Sequence, residues 1–205
     1  MLRGTIRFAT LGVNLQRALG SSPRREWVLF TPQNALDYNV VLQGEGTTTN
    51  SLLVASNGYP LDLSRYAHGD LIEGPIDGFC PGGATTIGLL EVVDDGDMAM
   101  NEKVEQGNRS GMVRSVGVNC SQLFGSSPNR VTLLITPPIA AGPICTISTD
   151  PELTTVGNGL TLSPGRVALE LTLEKHADVV RQLLYVVASG AGTLGVAETI
   201  EVVTF

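Results

Sequence analysis

"GVNLQRALGSSPRR" spans Gly12–Arg25, and "GVNCSQLFGSSPNR" spans Gly117–Arg130. One phrase written twice, 105 positions apart, decides how the chain is organised. Over residues 12–32, 11 of 21 positions recur 105 residues later, including Gly12, Asn14, Gly20, Ser21, Ser22, Pro23 and Arg25. A second echo pairs "GATTIGLLE" (Gly83–Glu91) with "GAGTLGVAE" (Gly190–Glu198), five of nine identical. A third sets Asn57-Gly58 against Asn158-Gly159. Three echoes in one order indicate a tandem duplication. The first repeat is placed at 1–94, a polar linker at 95–107, and the second repeat at 108–205. A period near 100 marks two domains rather than a solenoid.

Each repeat reads as strands. "RVALELTLE" alternates strictly, with Val167, Leu169, Leu171 and Leu173 on one face. "LLVASNGYPLDL" sets Asn57-Gly58 between apolar runs, the pattern of a hairpin. "LSPGR" (Leu162–Arg166) is a Pro-Gly turn. Pro23 and Pro128 fix φ just before the runs "EWVLFT" and "VTLLIT". "ADVVRQLLYVVAS" also fits a helix, with Val180, Leu184 and Val187 on one face. Its counterpart "LIEGPIDGFCPGG" carries Gly74, Pro75 and Gly78, which a helix interior rejects, so we expect strand in both copies. Seven or eight short strands per repeat predict an all-β chain of two tandem antiparallel β-sandwich or jelly-roll-like domains.

Charged residues are only 16% of 205, while Gly numbers 24 and Pro 11. That composition suits a turn-rich β chain whose surface is covered by partners; a weakly charged monomer is the alternative. The net charge of −7 is uneven. Arg3, Arg7, Arg17, Arg24 and Arg25 give the first 25 residues +5, leaving −12 on the rest. A basic arm on an acidic body suits docking on an acidic protein surface, so these five arginines are the candidate partner-binding residues. Solvated, scattered arginines are the alternative. Neither a basic stripe nor aromatic platforms continue past the arm, so direct nucleic-acid binding is not expected. We expect no signal peptide, since Arg7, Asn14, Gln16 and Arg17 interrupt the first apolar runs, and no membrane span.

Reaction chemistry finds little footing. Cys80, Cys120 and Cys145 are odd in number with no CxxC, and buried free thiols are expected. His68 and His176 each precede an aspartate by two residues, Asp70 and Asp178, in segments read as turns. "DDGD" (Asp94–Asp97) lacks the ligand spacing of a calcium loop. "GEGTTT" (Gly44–Thr49) lacks the lysine of a phosphate loop and reads as a hairpin tip. We expect no enzyme activity, catalytic residue, cofactor or metal.

The layout "SPNRVTLLIT", "GPICTIST", "NGLTLSPGR", "QLLYVVAS", "GTLGVAE" resembles small β-sandwich virion proteins of tailed bacteriophages. The second repeat carries it at Pro128, Arg130, Leu133, Ile135, Leu162, Pro164, Gly165, Leu194, Val196 and Glu198. The first departs, with "YPLDLSRYAHGD" where Leu-x-Pro-Gly belongs and "GPIDGFCPGG" for the late strand. The resemblance implies a structural role in the virion, assembled in the host cytoplasm. Such a protein decorates or cements the capsid, with the major capsid protein or other virion proteins as partners. Many copies per particle, or a homo-oligomer, are expected. A head-tail connector, tail or fibre component is the alternative. A carbohydrate-binding module is another, for which Tyr59 and Tyr66 are the candidate aromatics.

Overall fold

The computed structural model describes residues 2–32, 36–42, 51–56, 58–95, 109–152 and 155–201. The first repeat holds β1 (Leu2–Leu11), β2 (Gln16–Leu19), β3 (Arg25–Phe30), β4 (Tyr38–Leu42), β5 (Leu52–Val54) and β6 (Leu61–Ser64). A helical turn α1 (Arg65–His68) and a 3-10 turn (Gly69–Ile72) follow, then β7 (Ile76–Phe79) and β8 (Thr85–Asp94). The second repeat runs β9 (Arg109–Val116), β10 (Ser121–Phe124), β11 (Arg130–Thr136), β12 (Cys145–Ser148), β13 (Leu160–Leu162) and β14 (Leu169–Thr172). It continues through α2 (Leu173–His176), a 3-10 turn (Ala177–Arg181), β15 (Leu184–Ala188) and β16 (Gly192–Ile200).

The two sets fold alike. Sheets β1-β8-β3-β6 and β2-β7-β4-β5 make the first domain; β9-β16-β11-β14 and β10-β15-β12-β13 make the second. Every pairing is antiparallel, and successive strands alternate between the facing sheets except at the β4–β5 and β12–β13 hairpins. This is the eight-stranded jelly roll, twice.

Three sequence readings change. Asn57-Gly58 is no hairpin turn, because β5 and β6 belong to different sheets. Gly58 instead closes a turn by donating to the Ala55 carbonyl at 2.9 Å, while Asn57 itself lies outside the described residues. The segment 177–189 is strand only from Leu184 to Ala188; its first part is the 3-10 turn. Its counterpart sits 108 positions earlier, so Leu71–Ile72 match Val179–Val180 and His68 matches His176. The basic arm is not an arm: Arg3 and Arg7 belong to β1 and Arg17 to β2. The "GEGTTT" tip and most of the linker lie outside the described residues.

The domains share no strand, yet they are not separate beads. The first domain's sheet β1-β8-β3-β6 is buried on both faces. Val28, Phe30, Ile87 and Leu89 enter its own core. Leu29, Leu90 and Val92 join the core of the second domain, with Leu2, Ile6 and Trp27 packed against them. Two glycines permit the approach. A Cβ on Gly4 would lie 2.4 Å from the Val179 side chain, and one on Gly88 would lie 1.6 Å from the Gly159 carbonyl oxygen. The Gly4 amide donates to Asp178 Oδ1 at 2.7 Å, and the Thr161 amide donates to Thr31 Oγ1 at 3.2 Å. Lys175 reaches Asp62 at 3.8 Å.

Because backbone cannot yield as a side chain can, Gly88→Ala is expected to cost about 2 kcal/mol or more. Differential scanning calorimetry should show a lowered melting temperature. An unchanged one would mean the domains do not sit this close.

Candidate functional site

The repeated phrase folds around a buried guanidinium. In each copy the arginine ending "GSSPxR" starts the third strand and turns inward; Arg25 is 1% and Arg130 3% exposed. Arg25 Nε donates to Glu91 Oε1 at 2.9 Å. Its Nη1 donates to the carbonyls of Ile72 and Gly74, and its Nη2 to that of Gly20. Arg130 repeats the set: Nε to Glu198 at 2.8 Å, Nη1 to Val180 at 3.0 Å and Gln182 at 3.4 Å, Nη2 to Gly125 at 2.8 Å. Arg130 also lies 4.9 Å above the Phe124 ring. A planar fork with five donors spans carbonyls from separate loops, which a lysine cannot do.

The rest of the phrase is bonded with the same symmetry. The Gly12 and Gly117 carbonyls accept from Cys80 and Ala188, each at 2.8 Å. Ser22 donates to Glu73 at 2.8 Å, and Ser127 to Arg181 at 3.0 Å. These motifs therefore fasten loops to strands.

The five candidate arginines separate accordingly. Arg25 is a structural residue and presents nothing to a partner. Arg7, 54% exposed, pairs with the same Glu91 at 3.0 Å. Arg17, 56% exposed, pairs with Asp77. Arg24 donates to the Asp95 carbonyl at 3.0 Å, and Arg3 is exposed on β1. The positive charge is spread along two strands and largely engaged with neighbouring acids and carbonyls.

His68 and His176 occupy equivalent corners. Ser64 and Thr172 cap the helical turns by accepting the Ala67 and Lys175 amides, and their own amides donate to His68 Nδ1 and His176 Nδ1. Asp178 is used by Gly4 and by Gln182 Nε2. His176 and Asp178 thus serve the domain interface. Burial holds His176 down at about 4, with Asp62 opposing and Lys175 reinforcing.

The cysteines are all free. Cys80 and Cys145 are buried, and burial pushes Cys145 up to about 11. Cys120 is exposed, against expectation, because it lies in the exposed turn just before β10. No group of three metal-ligating side chains occurs among the described residues. No described helix is long and apolar enough to cross a membrane. The larger hollows are surface grooves. One of about 590 Å³ lies against Asp37, Asn39, Leu53 and Pro81 of the first domain. Another of about 420 Å³ lies between the domains, beside Thr10, Thr85, Thr86 and Thr161. The exposed aromatics are Tyr59 (75%) and Tyr66 (99%).

No family model matches the chain, and no curated protein matches it. Similar solved structures are of mixed kinds. HutD from Pseudomonas fluorescens SBW25 aligns over 98% of this chain and 80% of its own, at 10% identity and TM-score 0.36. The A223 turret protein of Sulfolobus turreted icosahedral virus aligns over 98% and 99%, at 9% identity and 0.27. The major capsid protein P2 of bacteriophage PM2 aligns over 99% and 98%, at 8% and 0.24. Likenesses this loose assign no family and no role.

Two predictions follow from the geometry. Arg130→Met takes away the guanidinium that pairs Glu198 and holds several carbonyls, and Arg25→Met frees several carbonyls and leaves Glu91 with the half-exposed Arg7; each should lower unfolding stability by about 3 kcal/mol in urea titrations. Arg3→Ser and Arg24→Ser should stay within about 0.5 kcal/mol of wild type. His176 is held neutral below its ordinary 6.5, so the unfolded chain binds its proton first. The stability it confers is complete above pH 6.5 and is lost as pH falls toward about 4, on the order of 3 kcal/mol in all. Melting curves from pH 7 to 4.5 should fall more steeply for wild type than for His176→Gln.

Proposed function

We propose that this chain is a non-catalytic structural protein, a rigid double jelly roll that binds an assembled shell as a capsid decoration or cement subunit of a tailed-phage virion. The observation that carries the reading is where the polar chemistry goes. The buried Arg25–Glu91 and Arg130–Glu198 pairs and the His176–Asp178 corner are all spent on holding loops and domains in place. What is left to act is surface, displayed on a body whose two halves share one core cluster. The tailed-phage layout of the second repeat supports the virion context. Binding of many such subunits favours the assembled shell over its parts by mass action, and repeated weak contacts add avidity.

The test is addition of purified protein to otherwise identical capsids that lack it. Saturable binding at hundreds of sites, with a raised capsid melting temperature, is expected. Binding confined to a ring of six to a dozen at one vertex would favour the connector or tail alternative. No binding to any part of the particle would reject the virion reading.

A further inference from the structure

The domain interface is heterologous, and this leaves each of its two faces in spare copy. The second domain offers a knob, built from the 3-10 turn after α2 and the edge strand β13. The first domain receives it on the outer face of sheet β1-β8-β3-β6. By the duplication, the first domain also owns a knob and the second also owns a receiving face. Neither is used within the chain.

The spare knob is conspicuously bare. Val179 is 0% exposed and its counterpart Leu71 is 49%; Leu160 is 0% and Leu52 is 37%; Thr161 is 5% and Leu53 is 60%. β5, like β13, is the outer strand of its sheet, so Leu52 and Leu53 lie on an unpaired edge. The 590 Å³ groove beside Leu53 lies on this same surface.

The spare receiving face keeps two devices of the used one. Thr31, whose hydroxyl accepts the Thr161 amide, recurs as Thr136. Gly88, which lets β13 approach, recurs as Gly195. A Cβ on Gly195 would meet only Thr136 of its own domain, at 3.3 Å, so nothing among the described residues of the chain requires that glycine as the neighbouring domain's Gly159 requires Gly88. Side-chain volume is redistributed in a matching sense. On the face, Trp27, Leu90 and Val92 become Thr132, Ala197 and Thr199. On the knob, Val179 and Thr161 become Leu71 and Leu53. Side chains shrink on the β11 and β16 part of the face, while those of the knob grow. Arg109 holds the strand position of Gly4, so the close approach that Gly4 allows Val179 is not repeated there. The Lys175–Asp62 pair also has no counterpart, since Ala67 and Glu170 stand at its positions.

We propose that the occupant of the spare knob is the receiving face of a second copy of this chain. The first domain of one molecule docks on sheet β9-β16-β11-β14 of the next, continuing between molecules the contact that joins the domains within one. Because the contact is head-to-tail, it propagates: a ring where the rotation closes, an open chain where it does not. The inference is independent of the virion reading, and its test needs no capsid.

The test is the mass in solution of the full chain and of two variants, by analytical ultracentrifugation over a concentration series. Wild type should exceed the 21.6 kDa of one chain and shift toward larger species with concentration. Leu53→Glu/Leu71→Glu blocks the knob, and Ala197→Glu blocks the face. Each alone should stay monomeric with an unchanged circular dichroism spectrum. Mixed one to one, they should form a dimer and nothing larger, because each retains one good surface. If Ala197→Glu melts early, Thr136→Arg, at an exposed position on the same face, replaces it. A monomeric wild type, a face variant that still assembles, or a mixture that stays monomeric would each overturn the proposal.

Discussion

Each jelly roll is organised by one guanidinium that cannot leave. Arg25 and Arg130 carry full charge in nearly dry surroundings, an expense that only complete hydrogen bonding offsets. The bonds reach backward to the loop after the second strand, forward to the helical corner, and across to Glu91 or Glu198 on the closing strand. Four separate parts of the chain are thereby tied to a single point. The arrangement favours one geometry over near alternatives, since any loop displaced from its place leaves a buried donor or acceptor without a partner. That the same residues do this in both copies explains why the phrase around them has been kept while the strands between have drifted.

The contact between domains depends on those nodes indirectly. Ile72 and Val180, whose carbonyls the arginines hold, end the 3-10 turns that form the knobs. A knob set firmly by its arginine presents Val179 and Asp178 to β1 at a fixed height, and the glycines at positions 4 and 88 are cut to that height. The interface is therefore between two rigid shapes rather than between adaptable surfaces.

Much of this was visible in the sequence, and what was missed was missed for physical reasons. The duplication and the all-β class follow from local patterns and persisted, while the alternation of "RVALELTLE" holds only at Leu169 and Leu171, because Val167 precedes the strand and Leu173 opens α2. Asn57-Gly58 carried a strong hairpin signal that the sandwich overrode, because a crossing between sheets also needs a tight turn. Arg25 was counted with a basic arm since nothing near it in sequence reveals partners 47 and 66 residues away. A signal did exist: Arg25 and Glu91 lie inside the two echoes, whereas Arg3, Arg7, Arg17 and Arg24 do not recur. The equivalence of His68 and His176 was hidden by a spacing that drifts from 105 to 108 between the echoes. The near-continuous apolar run "IGLLEVV" in β8, against "LGVAETI" in β16, marks a sheet buried on both faces.

The doubly buried sheet also imposes an order on synthesis. β1 is made well before its neighbour β8, which ends only at Asp94. Until β13 and α2 of the second domain have been made, Leu29, Leu90 and Val92 lack the surface that covers them. For the intervening stretch of translation the newborn chain carries an apolar face shaped to receive a knob. Neighbouring chains on one polysome present the same face. The hazard of premature pairing between nascent chains is thus written into the topology, and chain crowding during expression will be where it shows.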